Sequence, residues 1–304
     1  MKKFNNYVNK IAKEENGMIC NLCPRKCLKN RDENVGDGVC LMPNKIKIAH
    51  YELFMFEEPC ISFGKGSGAI FFSGCNLKCL FCQNYEISTN MKGKFISAEE
   101  LANIFKELEE KGAENINLVT PTHYSHLIIK ALQIYKPKVP VIYNTNGYEK
   151  EEIIEEVAKY VDIFLPDFKY YSSELSKKLS SCEDYFSVCL KAIKKMRSLK
   201  EDVFDENGKM LSGVLIRHMI LPLCTNDSIK ILNVIKDEIP HTKVSLMGQY
   251  VPLGRAKECA FINRKITKKE YDKVLDEFMK LKLDGFIQEL NSASESYVPN
   301  FKFI

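Results

Sequence analysis

The stretch "FFSGCNLKCLFCQNYEIS", residues 71–88, closes a short apolar run on Ser73 and Gly74, then sets Cys75, Cys79 and Cys82 within eight positions. An apolar run ending in Ser-Gly reads as a buried strand, so Cys75 opens a loop at its carboxyl end, where α/β folds bind ligands. Thiolates spaced by three and then two residues can wrap one corner of a compact iron–sulfur cube, and soft sulfur also suits zinc. A closed site of either kind wants four protein ligands. The next histidine downstream is His123, so the set is one donor short and a corner stays open to a small molecule.

The surrounding pattern is α/β. From about residue 69, short β-branched runs alternate with stretches of helical period, as in repeated βα units around a parallel sheet. The expected strands are "AIFFSG", "NINLVT", "VPVIYNT", "VDIFLPDF", "GVLIRHMIL" and "KVSLMGQYV". Between them, "SAEELANIFKELEEKG" puts Leu101, Ile104, Phe105 and Leu108 on one helical face, and Ser97 with Glu100 forms a capping box. "YEKEEIIEEVAKY" and "DSIKILNVIKDEIP" repeat the helical pattern, the latter with Asn226 or Asp227 as N-cap. Six such units with right-handed crossovers predict a partial (β/α)6-type barrel, with a doubly wound sheet as the competing architecture.

The expected organisation has three parts: a small cysteine-rich metal-binding region over 1–62, the barrel over 63–266, and a last amphipathic helix and tail over 267–304. Composition agrees with an ordinary globular chain: 304 residues, 45% apolar, 28% charged, net charge +4. So small an excess of basic residues, interleaved with acidic ones, argues against nucleic acid as a partner. No apolar run approaches the ~20 residues of a membrane span, and the first seventeen residues lack the apolar core of an export signal. A cytoplasmic protein is expected. In that reducing setting, twelve cysteines favour metal ligands over disulfides, at least where they cluster; scattered cysteines are more often small buried hydrophobes.

The other cluster is "CNLCPRKCLKNRDENVGDGVC", with Cys20, Cys23, Cys27 and Cys40. Four thiolates make a complete set, for zinc or for a second [4Fe-4S] cluster, and spacing does not choose between them. Arg25, Lys26, Lys29 and Arg31 lie close enough in sequence to offset thiolate charge. "SFGKGSGAI", residues 62–70, is glycine-rich but leads into a strand, which disfavours a phosphate loop.

Three cysteines at this spacing, with Phe81 just before the last, resemble the signature of the radical S-adenosylmethionine enzymes. Over about residues 69–255 the chain is most similar to the pyruvate formate-lyase activating enzyme group. The resemblance implies that Cys75, Cys79 and Cys82 hold a [4Fe-4S] cluster whose open iron chelates S-adenosylmethionine. One electron, from a reduced flavodoxin or ferredoxin type donor, then releases a 5′-deoxyadenosyl radical that abstracts hydrogen from a substrate.

"YNTNGY", residues 143–148, resembles that group's Asp-Thr-Asn-Gly segment, with Asn144 in place of the Asp, which implies cofactor contacts from Asn144 and Asn146. "LPDFKY", residues 165–170, resembles its Asp-x-Lys segment, and "IRHMILP", residues 216–222, its Arg-containing strand. Asp167, Lys169 and Arg217 are thereby implied as catalytic-site residues. Where the group carries Gly-Gly-Glu, this chain has "LVTPTHY", residues 118–124, so Thr120, Thr122 or exposed carbonyls are the candidates to replace that contact. Strand alternation puts Asp167 and Lys169 on one face and sends Arg217 and His218 to opposite faces. His123 follows Pro121 at the start of a helix, and Tyr143, Tyr148 and Tyr250 read as packing.

The implied reaction is glycyl radical activation of a protein glycine. The alternatives are radical modification of a small molecule or another peptide, and a non-enzymatic iron–sulfur or zinc interaction protein.

Overall fold

The computed structural model describes residues 18–290 apart from residues 33, 35 and 63. The first seventeen residues, expected to lack an export signal, and residues 291–304 of the expected tail lie outside the described residues.

A two-stranded ribbon, β1 (Met18–Ile19) with β2 (Asn30–Arg31), opens the described chain. The elements that follow are β3 (Ile46–Phe54), β4 (Ser67–Phe72), α1 (Tyr85–Ser88), β5 (Lys94–Ile96), α2 (Ala98–Glu110), β6 (Ile116–Val119) and α3 (Ser125–Ile134). Then come β7 (Val141–Thr145), α4 (Glu151–Val157), β8 (Ile163–Pro166), α5 (Ser173–Ser180), α6 (Tyr185–Leu199), β9 (Val203–Phe204) and β10 (Met210–Met219). The last are α7 (Thr225–Glu238), β11 (Lys243–Met247), α8 (Lys268–Lys280) and β12 (Gly285–Gln288).

Ten strands form one sheet in the order β12-β11-β10-β8-β7-β6-β4-β3-β5, with β9 added to β10. From β4 through β6, β7, β8, β10 and β11 to β12 the pairing is parallel, and each new strand joins the same advancing edge. A doubly wound sheet would reverse its direction of growth partway. This one does not, so the chain is singly wound: a mixed α/β fold of the expected partial-barrel class, in which β5 and β12 end the sheet among the described residues.

The parallel strands β4, β6, β7 and β8 are buried on both faces, so they read in sequence as near-continuous apolar runs. Ile70, Phe72, Leu118, Tyr143, Phe164 and Ile216 pack in the large core beneath the helices. Their neighbours of opposite parity, including Ala69, Phe71, Val119, Ile142, Leu165 and Leu215, form two smaller interior clusters. The second face is the one that ends in the functional cavity. Helix starts follow the expected chemistry: Ser97 and Thr267 each close a full capping box.

One feature departs from the sequence reading: helix α7 begins at Thr225 with Cys224 as N-cap, ahead of the expected Asn226 or Asp227. The sheet draws strands from all three of the expected parts. Strand β3, from the 1–62 region, pairs antiparallel with β4 and β5, and Cys60 and Ile61 plug an interior cluster. Strand β12, from the 267–304 segment, extends the parallel series. "IKIAHYELF" hides β3 because His50 and Glu52 interrupt its apolar pattern, and antiparallel pairing to an existing edge tolerates such half-exposed positions.

Candidate active site

The loop leaving β4 turns through Gly74 at φ +82°, where an added Cβ would stand 2.4 Å from Met42 Cγ, so no side chain fits. Beyond it, Cys75, Cys79 and Cys82 all line one cavity of about 200 Å³. The end of α5 pins this loop: Lys78 N and Leu80 N donate to the carbonyls of Ser180 and Leu179 at 3.3 and 2.8 Å. Each sulfur also meets a donor. Leu77 N and Asn146 Nδ2 reach Cys75 Sγ, each at 3.4 Å; Ser180 Oγ donates to Cys79 Sγ at 3.0 Å; Ser88 Oγ lies 3.2 Å from Cys82 Sγ. Burial, and after it the neighbouring Cys79, pushes Cys75 up to about 12 and Cys82 up to about 11. Thiols held so high become thiolates only when a metal displaces their protons.

A charged wall faces them, built from consecutive strand ends. Asp167 follows β8 and accepts from Lys169 Nζ at 2.6 Å and from Arg217 Nε at 2.9 Å. Arg217, on β10, also donates through Nη2 to Asn144 Oδ1 at 2.7 Å and stands 3.5 Å from Glu57 Oε2. Burial pushes Asp167 up, but Arg217 and then Lys169 outweigh it and hold the carboxyl below its usual range. Lys169 is raised, because Asp167 overcomes the burial that would lower it. All five groups line the cavity.

The expected site residues divide as follows. Phe81, Thr120, Asn144, Asn146, Asp167, Lys169 and Arg217 line the cavity with the three cysteines. Thr122 does not; it is buried, and its Oγ1 donates to Glu149 Oε1 at 2.6 Å. Thr120 keeps a left-handed backbone at φ +63° at the end of β6, an arrangement that β-branched residues seldom adopt. His218 turns away as strand alternation requires, with Nδ1 2.7 Å from the Phe168 carbonyl. His123 lies within the short helix Thr122–Tyr124, and its Nε2 donates to the Ser73 carbonyl at 2.7 Å. Tyr143 and Tyr148 are core residues, while Tyr250 packs edge-on against Phe81 and its hydroxyl donates to Ile262 O at 2.7 Å.

Glu57 escaped sequence reasoning. It follows β3 in "FEEP", accepts from Asn117 Nδ2 at 2.8 Å, and is pushed by burial up to about 7 against the pull of Arg217. The available signal was an acidic pair directly after an apolar run, which a separate N-terminal region left unconnected to the barrel.

The four N-terminal cysteines also share a cavity. Cys20, Cys23, Cys27 and Cys40 line a space of about 10 Å³ with Arg31 and His123. Cys60, Cys182, Cys189, Cys224 and Cys259 are buried, and all twelve cysteines are free. Among the described residues, no three of His, Cys, Asp and Glu converge on a single-ion position.

Three soft donors on one open cavity, with a charged and amide-bearing wall opposite, fit a cluster that keeps one corner for a small zwitterion. Residues 69–212 match the profile of the radical SAM superfamily. An uncharacterised protein of Methanocaldococcus jannaschii is 32% identical over 281 residues, covering 87% of this chain and 75% of the relative. The pyruvate formate-lyase-activating enzyme of Clostridium pasteurianum is 27% identical over 236 residues, covering 73% of this chain and 90% of the relative. Among solved structures, Streptococcus suis SuiB bound to precursor peptide SuiA superposes with a TM-score of 0.49 at 16% identity, over 72% of this chain and 48% of that one.

Proposed function

The chain belongs to the radical SAM superfamily, and we propose that this enzyme activates a partner protein by taking hydrogen from one of its glycines. The family implies a [4Fe-4S] cluster and S-adenosylmethionine. When bound, the two together supply reductive cleavage of the sulfonium and a 5′-deoxyadenosyl radical as the hydrogen abstractor.

One observation carries the assignment of the site: Cys75, Cys79 and Cys82 face the Asp167, Lys169 and Arg217 wall across one cavity at the strand carboxyl ends. In this reading the three thiolates hold three irons, and hydrogen bonds from Asn146 and Ser180 temper their charge. Asn144, Asn146 and Thr120 offer polar contacts to the cofactor, and Lys169 balances its carboxylate. Asp167 fixes both cations in place. Phe81, held against Tyr170 and Tyr250 at ring separations of 6.5 and 5.8 Å, keeps water from the cluster side. Cys20, Cys23, Cys27 and Cys40 hold a second metal. The electron donor is a reduced flavodoxin or ferredoxin.

Similarity to the Clostridium pasteurianum enzyme supports a protein glycine as hydrogen donor. Twelve free thiols support a cytoplasmic setting, and no helix among the described residues is long and apolar enough to cross a membrane. The test is anaerobic turnover with deuterated candidates. Deuterium from a glycine-labelled partner should enter 5′-deoxyadenosine; transfer only from a small molecule overturns the activase reading. Absence of S-adenosylmethionine cleavage with the cluster intact overturns the enzyme reading as a whole.

A further inference from the structure

Two carboxylates line the cleavage cavity, Asp167 and Glu57, and they reach Arg217 from different parts of the chain. Asp167 follows β8, the strand that pairs with β10. Glu57 follows β3, ahead of the parallel series and outside the span 69–212 that matches the superfamily profile.

The segment that delivers Glu57 is fastened to the barrel. Glu57 N donates to Ser62 Oγ at 3.1 Å, and Ile61 N and Ser62 N donate to Glu58 O at 2.8 and 3.0 Å, which closes a turn. Met210 N, at the start of β10, donates to Cys60 O at 2.9 Å, and Asn115 Nδ2, just before β6, donates to Ile61 O at 2.8 Å. The carboxyl is fixed as well. Asn117 Nδ2 donates to Oε1 at 2.8 Å, which leaves Oε2 for Arg217, and the side chain is 8% exposed.

Arg217 meets an acceptor at each of its nitrogens: Nε at Asp167 Oδ1, 2.9 Å, Nη2 at Asn144 Oδ1, 2.7 Å, and Nη1 at Glu57 Oε2, 3.5 Å. Three fixed points define the plane of a rigid guanidinium. The Glu57 contact is longer than the ~2.7–2.9 Å of a direct charged hydrogen bond, so it holds by charge and leaves the N–H groups of Nη1 accessible. A guanidinium carries five N–H groups; these contacts engage three at most, and the others are left for an anionic group.

We propose that Glu57 is a positioning residue: its carboxylate holds Arg217 in the plane in which the guanidinium meets an anionic group of the cavity's ligand. The role rests on the reading of Arg217 as a ligand contact in the cleavage site, and it makes the N-terminal region part of that site. The charged groups facing Glu57 are Arg217 from β10, Asp167 after β8, itself paired with Lys169, and the adjoining Glu58; Asn117 from β6 is neutral. Burial pushes the Glu57 carboxyl up to about 7, with Arg217 pulling it down, Glu58 pushing it up, Asn117 pulling it down and Asp167 pushing it up. The hold is therefore strongest above about 7, where Glu57 is ionised, and slackens below it, where the neutral carboxyl keeps an acceptor but loses its charge.

The experiment is equilibrium binding of S-adenosylmethionine to the anaerobically reconstituted, unreduced protein, read by ultrafiltration at about pH 6 and about pH 8, on either side of the Glu57 value. At the higher pH, Glu57→Ala should weaken binding roughly tenfold, and Glu57→Gln, which keeps an acceptor without the charge, roughly threefold. At the lower pH, Glu57→Gln and wild type should bind alike, because the native carboxyl is then neutral too. Taking the ratio of the two proteins cancels the titration of the ligand's own amino group. Gln closely matches a protonated Glu in shape, so the fold is not at stake in that variant, and a purely structural role would lower the melting temperature without a pH-dependent ratio. A ratio equal at both pH values overturns the proposal. So does a Glu57→Gln protein that binds more tightly than wild type, which would mean that Glu57 competes with the ligand for Arg217. Weakened binding in Arg217→Lys beside unchanged binding in Glu57→Ala overturns the positioning role and leaves the site reading standing; wild-type protein with an intact cluster that binds no S-adenosylmethionine overturns both.

Discussion

Arg217 Nε donates to Asp167 Oδ1 at 2.9 Å, and the backbones of the same two residues form a parallel bridge beyond the last regular pair of β8 and β10. Backbone and side chains thus agree on one register at the mouth of the cavity. Asp167→Asn leaves Lys169 and Arg217 together with Glu57 and Glu58 as nearby carboxylates. We expect a loss on the order of 2 kcal/mol, below the cost for a fully buried pair because both partners keep some water contact. Denaturant unfolding under anaerobic conditions measures it. Adding Lys169→Met should recover part of the loss, and an unchanged midpoint in the single variant would show that the pair is dispensable.

Ser180 closes α5 and donates to Cys79 Sγ at 3.0 Å, with Tyr170 Oη 2.6 Å from the same hydroxyl. A donor to a cluster sulfur favours the more negative, reduced state. Ser180→Ala should therefore lower the reduction potential by roughly 40 mV, the equivalent of about 1 kcal/mol for one electron, while iron content stays constant. Spectroscopic redox titration reads the shift; a potential that rises contradicts the assignment of this donor.

Gly254 follows β11 at φ +59°, where a Cβ would stand 3.0 Å from Cys82 O and 3.1 Å from Leu80 O. Arg255 N binds Leu80 O at 2.6 Å, so this turn and the cysteine loop cannot separate freely. Gly254→Ala should cost about 1–2 kcal/mol from the left-handed backbone and shift the cysteine loop as well. Lower iron retention after gel filtration, beyond what the drop in melting temperature accounts for, is the expected signature.

Glu149 is buried under "LVTPTHY". Its Oε1 accepts from Thr122 and Thr145, and burial raises its carboxyl from 4.5 to about 7. A folded-state value above the unfolded one means the proton stabilises the fold: the contribution is complete below about 4.5 and is lost as pH rises through about 7. Glu149→Gln keeps an acceptor for the two threonines without the charge. Variant and wild type should melt alike near pH 4.5, and the variant should lead by on the order of 2 kcal/mol at pH 8.5. Glu57 shares the direction of shift, so the difference between the two proteins, and not the wild-type curve alone, is the measurement.

Much of this was legible before any coordinates. "FFSGC" ended on a strand because both faces of β4 are buried and Gly74 alone suits the turn. The six barrel strands were visible for the same reason, since sandwiched strands have no polar face to obscure the apolar run. Ser97 with Glu100 set a helix start because capping is local chemistry. By contrast, Cys224 caps α7 with no side-chain hydrogen bond, which left Asn226 and Asp227 as the stronger and mistaken signal.

The sequence by itself determined the six barrel strands, the two cysteine sets and the parity that sends Arg217 and His218 to opposite faces, because each depends on spacing within one segment. Only the tertiary structure decided what those segments meet. Residues 163 and 213 pair across the sheet, Glu57 arrives beside Arg217 from 160 positions away, and Arg25 reaches across to Ser180. Thr122, two positions beyond a cavity residue, was carried instead into the core beside Glu149. Contacts of this kind are fixed by how buried faces and charges find partners when the sheet closes, and no local spacing encodes them.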